Sequence, residues 1–263
     1  MNMQLGFWDW IWKILAEYGP VLLRGTGYTL LLAVLGTLLG GVIGLLVGVV
    51  RTIPVLRGGE TGWSPRRILL TAANKLLAVY ITVFRGTPMM VQAMLIYYAL
   101  PEMNRIFTMK PLPASIFIIT LNTGAYMAEI VRGGIQSIDK GQWEAAQAIG
   151  MTHWKTMTNV ILPQTIRNII PATGNEFIVN LKDSSVLNVI QMNELFFSAR
   201  IAYSNYYRYL QPFLICAAIY LLLTTVFTFL LQRVEKKLNG GEGYSLVGGS
   251  ATMPETALPK NQG

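Results

Sequence analysis

Long apolar runs separated by short polar stretches set the frame of this chain. Five runs, at roughly 21–50, 68–100, 112–131, 164–188 and 208–231, are each long enough to cross a hydrocarbon core about 30 Å thick. The second would rise about 50 Å as one straight helix, and Arg85-Gly86-Thr87-Pro88 interrupts it near its middle. It is therefore expected to cross once, in two helical pieces, because proline removes a backbone donor and crowds the preceding turn. The fourth run is the most polar, with Arg167, Glu176, Lys182 and Asp183. Its place after a polar insertion, and opposite a clear third span, marks it as a crossing. The expected fold is an all-α integral membrane protein with five transmembrane helices.

The polar stretches differ from one another. Residues 1–18, with Trp8, Trp10 and Trp12 beside Lys13 and Glu17, fit either an amphipathic helix lying in the outer membrane interface, where indole rings favour the headgroup level, or a frayed, poorly ordered terminus. Residues 19–237 form the membrane domain. Gly58, Gly59, Gly62 and Pro65 mark a flexible connection. Residues 139–163 form the polar, helix-prone insertion between the third and fourth spans. The tail, 238–263, has Gly-Gly, Pro254 and Pro259 with no apolar period and is expected to be disordered. No internal repeat is evident, so any symmetry would come from pairing two subunits.

Composition supports the membrane reading. The chain is 52% hydrophobic and 13% charged, against about 25% charged in soluble domains, and its mean hydropathy is +0.44. The net charge of +8 could indicate nucleic acid in a soluble protein, but here the basic residues collect between apolar runs. With the N-terminus outside, the inner segments hold Arg51, Arg57, Arg66, Arg67, Arg132, Lys140, Lys155, Arg233, Lys236, Lys237 and Lys260, while the outer ones hold only Lys13, Arg105, Lys110 and Arg200. The positive-inside rule then places the N-terminus outside and the C-terminus and the 139–163 insertion in the cytoplasm. The apolar Cys216 has no intrachain partner and so does not locate a compartment. No cleavable signal is evident.

The chain lacks the G-x-x-x-x-G-K-[ST] loop that cradles nucleotide phosphates. Any energy source must come in trans. One histidine and one cysteine at distant positions make neither a metal site nor a nucleophile constellation, so an integral-membrane enzyme, a third reading, lacks a plausible catalytic cluster. His153 is read as a surface or docking residue, and Cys216 as packed or lipid-facing filler.

The insertion is where function shows. Asp139 can cap a helix starting near Lys140, and Glu144 then falls in early turns, where the helix dipole favours an anion. Ala145 and Ala146 keep one face thin for close approach to a partner. Gly150 ends or bends that helix, and Pro163 permits the next to begin, giving helix, turn, helix. The spacing is Glu144-Ala145-Ala146, three residues, Gly150, nine residues, Val160, one residue, then Leu162-Pro163. This resembles the EAA loop of ABC-importer permeases, departing from it at Val160, where that loop usually carries Ile. Arg85-Gly86-Thr87-Pro88, Asn122-Thr123-Gly124-Ala125-Tyr126 through Glu129 and Arg132-Gly133-Gly134, and Leu181-Lys182-Asp183-Ser184-Ser185 extend the resemblance to the polar amino-acid uptake permeases of the histidine, glutamine and arginine subfamily.

The resemblance implies a five-helix permease in the cell membrane that pairs as a homo- or heterodimer. It also implies two ATP-binding-cassette subunits below and an extracellular solute-binding protein above. ATP would be bound by those partner ATPases, so no cofactor is expected on this chain. The EAA segment would be a cytoplasmic helix coupling nucleotide-driven closure to the membrane helices through Glu144, Ala145, Ala146, Gly150, Leu162 and Pro163. Amino acid and membrane lipid are the expected ligands, and nucleic acid is not expected.

Charged groups cost roughly 2.5–3.5 kcal/mol each at a helix centre, so those that persist pair or line a wet path. Thr173, Glu176, Asn180 and Asp183 follow helical offsets and are expected on one stripe facing a dimer axis. Counting along the spans puts Arg85, Asn122 and Glu176 near mid-depth. There Arg85 and Glu176 either receive the carboxyl and amino groups of a zwitterion or neutralise each other across the broken helix. Glu129 and Arg132 are read as structural partners of the coupling segment, and Lys182 and Asp183 as an outer gate or a mutually satisfied pair. A passive channel with Arg85 and Glu176 as filter charges is the alternative of a different class.

Overall fold

The computed structural model describes residues 6–53, 64–105 and 108–238. The glycine-rich connection at 58–62 and nearly all of the 238–263 tail lie outside them. Among the described residues the fold is entirely helical. Four helices are long and apolar enough to cross a membrane: α1 (Phe7–Val50), α2 (Pro65–Gly86), α5 (Pro111–Gln136) and α10 (Leu210–Leu238). Between α2 and α5 lie α3 (Met89–Met94), a π-helical turn (Leu95–Ala99) and α4 (Leu100–Met103). After α5 come α6 (Lys140–Ala148) and α7 (His153–Thr156), then a π-helical turn (Met157–Ile161) leading into α8 (Leu162–Asp183). A 3-10 stretch (Ser184–Ile190) and α9 (Leu195–Tyr206) complete the order before α10.

α8 falls on the polar fourth run and packs against α1, α5 and α10. Its charges keep it from reading as apolar, and its neighbours shelter it instead.

The tightest packing is α1 on α5, and glycine permits it. Gly36, Gly40, Gly44 and Gly48 line one face of α1 at four-residue spacing. A Cβ at Gly44 would fall 2.3 Å from Met127 Cβ, and one at Gly40 2.7 Å from Thr123 Cβ. With no room for a methyl group, the backbones approach closely, which is how helices gain van der Waals contact where lipid supplies no hydrophobic drive.

The break at Arg85-Gly86-Thr87-Pro88 leaves backbone carbonyls without helical donors, a costly state in hydrocarbon unless another group binds them. Gln92 meets this need: its Nε2 lies 2.9 Å from the Phe84 and Thr87 carbonyl oxygens and 3.0 Å from Thr87 Oγ1.

At the end of the bundle remote from α6, the structure differs from the sequence expectation in two ways. Residues 7–18 do not form a separate helix, because α1 continues through Pro20 without a break. The segment between the fourth and fifth runs, to which no element was assigned, contains α9, which packs on α1 and α10. Glu194, fully buried, caps α9 by accepting the Phe196 and Phe197 N–H groups at 2.8 and 2.7 Å, and it also takes the Tyr220 hydroxyl at 2.9 Å. Tyr206, on α9, donates its hydroxyl to the Glu17 carboxylate, and that bond pushes the Tyr206 pKa up to about 12.

Candidate functional site

The 139–163 insertion is built from two capped helices. Asp139 Oδ1 accepts the Gly141 N–H at 2.7 Å and starts α6. The helix ends at Gly150, whose φ of +78° is the left-handed conformation that glycine adopts at least cost. Met151 N–H reaches back to the Ala146 carbonyl at 3.0 Å and Gly150 N–H to Gln147 at 2.9 Å, the paired bonds of a Schellman ending. Thr152 then caps α7. The turn therefore occupies 149–152, and the second helix begins at His153, well ahead of Pro163. Pro163 does not start that helix. It lies just past the π-helical turn, at the head of α8.

Two faces result. Inward, Ala146 is buried, and the Trp143 ring stacks on His153 with centroids 5.3 Å apart, tying α6 to α7. Ile135, Met157, Ile161 and Ile169 join this root to the ends of α5 and α8, with Leu162 packed against them. Gln164 Nε2, one position past Pro163, donates to the Val160 carbonyl at 2.8 Å. Outward, Glu144 and Ala145 are exposed, as are Ile149 and Trp154, which remain 79% and 64% accessible. The sequence reading placed Ala145 and Ala146 on one thin partner-facing side. In the fold they divide, Ala145 outward and Ala146 into the chain.

At the foot of α5, Glu129 joins two cations. It pairs with Arg51 from the end of α1, and its Oε2 accepts Arg132 Nη2 at 2.6 Å and Nε at 3.0 Å. This cluster ties the ends of α1 and α5 beside the 139–163 insertion.

The expected pathway residues also divide. Asn180 is buried, with Oδ1 accepting the Thr123 hydroxyl at 3.0 Å and Nδ2 donating to Thr37 at 2.9 Å, so it joins α1, α5 and α8. Asn122 Nδ2 donates to Gln92 Oε1 at 3.0 Å and faces the Phe84 carbonyl at 3.4 Å, bracing the broken helix. Thr173 lines an apolar groove of about 550 Å³ with Phe177 and Leu231. On α8, Thr173 and Asn180 meet neighbouring helices, and Glu176 and Asp183 are half-buried. Arg85 is exposed, with its guanidinium 5.3 Å from the Tyr126 ring centroid. No ion pair joins Arg85 to Glu176 among the described residues.

Sequence reasoning missed Gln92 and Glu194. Each is a lone polar residue at the edge of an apolar run, next to a helix break in one case and a helix start in the other. Among the described residues no cluster of His, Cys, Asp and Glu could hold a metal.

Long apolar helices, with a capped and exposed helix pair between α5 and α8, mark a membrane-embedded subunit. The chain belongs to the family of binding-protein-dependent transport system inner membrane components, which matches residues 67–240. It is 38% identical over 231 residues to the glutamine transport system permease protein GlnP of Escherichia coli (strain K12), covering 88% of this chain and 97% of that protein. It is 35% identical over 223 residues to the arginine transport system permease protein ArtQ of Bacillus subtilis (strain 168), covering 85% of this chain and 94% of that one. Among solved structures, an amino acid ABC transporter crystallised with histidines superposes with a TM-score of 0.74 at 36% identity, covering 89% of this chain and all of that one. The inward-facing methionine transporter MetNI shares the fold, with a TM-score of 0.67 at 22% identity over 83% of this chain and 96% of that one. The chain is thus a membrane-embedded permease subunit of an ABC importer, not an enzyme and not a passive channel.

Proposed function

We propose that this subunit carries polar amino acids across the cell membrane and couples their passage to ATP hydrolysis by separate ATPase subunits, with α6 as the contact. The relatives named for glutamine and arginine transport support the substrate class. The arrangement has five crossings, with α8 as the fourth, the N-terminus outside and the C-terminus inside. Supporting this orientation, Arg51, Arg132 and the coupling segment gather at one end of the bundle, as positive-inside bias requires. Two such permeases meet about the side bearing Arg85, Glu176 and Asp183, a solute-binding protein delivers solute at the outer end, and the bundle alternates between outward and inward access. Arg85 and Glu176 form no ion pair with each other among the described residues, which leaves a guanidinium and a carboxylate for a zwitterion. Asn122 and Asn180 hold the walls of that path.

The observation that carries the proposal is the two-sided build of α6. Its root of Ala146, Trp143 and His153 is fixed to α5 and α8, so a push on exposed Glu144 and Ala145 moves those helices as one body. Leu162 and Gly150 set the angle of that lever, and Pro163 lies where the lever joins α8. The test is the complex reconstituted with its ATPase and binding protein. Glu144→Ala removes a charged contact worth about 1.5–3 kcal/mol, so solute-stimulated ATP hydrolysis should fall by about tenfold or more while the permease still assembles in the membrane. Unchanged stimulated hydrolysis would sink the proposal.

A further inference from the structure

At the end of the bundle opposite the coupling segment, two cations are held by rings rather than by carboxylates. Lys13 Nζ lies 5.0 Å from the Trp10 ring centroid and 5.1 Å from that of Tyr206, and the Arg208 guanidinium lies 4.4 Å from the same indole. Trp10 and Tyr206 meet edge to face at 5.1 Å. The two nearest carboxylates along α1 are occupied elsewhere: Asp9 accepts the Gly6 N–H at 2.9 Å, and Glu17 accepts the Tyr206 hydroxyl. Neither Lys13 nor Arg208 pairs with an acid among the described residues. Ring faces attract a cation without cancelling its charge, so the corner between α1 and α9 stays electropositive.

The height of this corner is fixed by α10. The apolar helix starts at Leu210, two residues past Arg208, so Arg208 stands where hydrocarbon gives way to headgroups. The surrounding aromatics agree with that level, since Trp8, Trp12, Tyr207 and Tyr209 are 69%, 71%, 82% and 64% accessible. Toward the bilayer centre, Leu23 on α1 and Leu210 and Leu214 on α10 present exposed apolar surface. A ligand for this place needs an anionic group at headgroup height and apolar chains running down the bundle.

We propose that Lys13 and Arg208, held in place by the Trp10 ring, bind the phosphate of an anionic phospholipid in the leaflet opposite the coupling segment. A zwitterionic lipid brings its own cation to the phosphate and gains little from two more. A lipid with net negative charge gains from both. The site also gives α9 a reason to be stapled to the overhanging end of α1: the two segments supply the cations from different parts of the chain, and the Tyr206–Glu17 bond keeps them at one height.

This inference needs only that α1 and α10 cross the bilayer, so it stands apart from the transport cycle. The test is native mass spectrometry of the full permease complex taken from nanodiscs of phosphatidylcholine with a minor share of phosphatidylglycerol. Wild type should retain phosphatidylglycerol preferentially, and Lys13→Gln or Arg208→Gln should each cut that retention by about fivefold. The charge-preserving Lys13→Arg and Arg208→Lys should keep it. Thermal midpoints in phosphatidylcholine alone, equal for wild type and variants, show that the fold is intact. If the midpoints differ, retention is compared between Arg208→Gln and Arg208→Lys, where only charge separates the two. Equal retention in the charge-removing variants overturns the proposal. So does displacement of the lipid by inorganic phosphate, which would mark a free-anion site. Loss of solute-binding-protein affinity by Lys13→Gln in phosphatidylcholine alone would assign the corner to that protein and overturn it as well.

Discussion

Three single residues decide how this chain uses its backbone and its buried polar groups. Gly150 holds φ at +78° with open space around it, so a methyl group there meets no neighbour and costs only conformation. Gly150→Ala should lower stability by about 1 kcal/mol and, by tilting α6, reduce coupled ATP hydrolysis more than assembly, which paired ATPase and size-exclusion measurements would show. Tyr207 is the reverse case, a non-glycine at φ 54° whose side chain is 82% accessible. Tyr207→Gly should raise the thermal midpoint, with a gain of up to about 1 kcal/mol. Asn180→Ala removes two buried hydrogen bonds among α1, α5 and α8. At about 0.6 kcal/mol each inside a membrane, the loss should be about 1 kcal/mol in a detergent unfolding series. The cap at Asp139 and the stop at Gly150 were legible because they are local, each needing only a few neighbouring residues. The bonding of Asn180 was not, since its partners Thr37 and Thr123 come from distant parts of the chain.

Among the elements, α1 and α5 depend on a row of absent side chains. Gly44→Leu would drive a side chain into Met127, and overpacking of this kind costs about 1–3 kcal/mol or more. Gly41→Leu, on the open groove with nothing within 4 Å, should be tolerated, and the contrast in yield of folded protein from detergent checks the pair. The apolar crossings could be read from hydropathy alone. Helix α9 could not, for two reasons: its N-cap is Glu194, a residue type that rarely caps helices, and its stability comes from α1, α10 and Tyr220 rather than from its own period. The break before α3 was visible in the Pro88 signal. That Gln92 repairs it was hidden, because the amide serves carbonyls exposed only once the chain has bent.

For the whole molecule, one end gathers arginines around Glu129 and the other gathers tryptophans and tyrosines. That polarity makes orientation testable in intact cells. Cys216 is buried and contributes little background, so Trp12→Cys should react with a membrane-impermeant maleimide added outside, whereas Ile149→Cys should react only after permeabilisation. Reaction of Ile149→Cys from outside would reverse the proposed topology and remove the coupling role of α6. The whole arrangement also explains why the fourth run was the hardest to read: α8 packs against α1, α5 and α10, so it can keep charges that a lipid-facing helix would shed.

The first helix, 44 residues long, measures about 66 Å, roughly twice the thickness of the hydrocarbon it crosses. Its surplus makes it a pointer. A roll of the bundle by ten degrees would sweep the far tip through about 11 Å over that length, so a fluorophore placed near Phe7 turns a rotation too small to resolve at the centre into a displacement that energy-transfer spectroscopy can follow in real time.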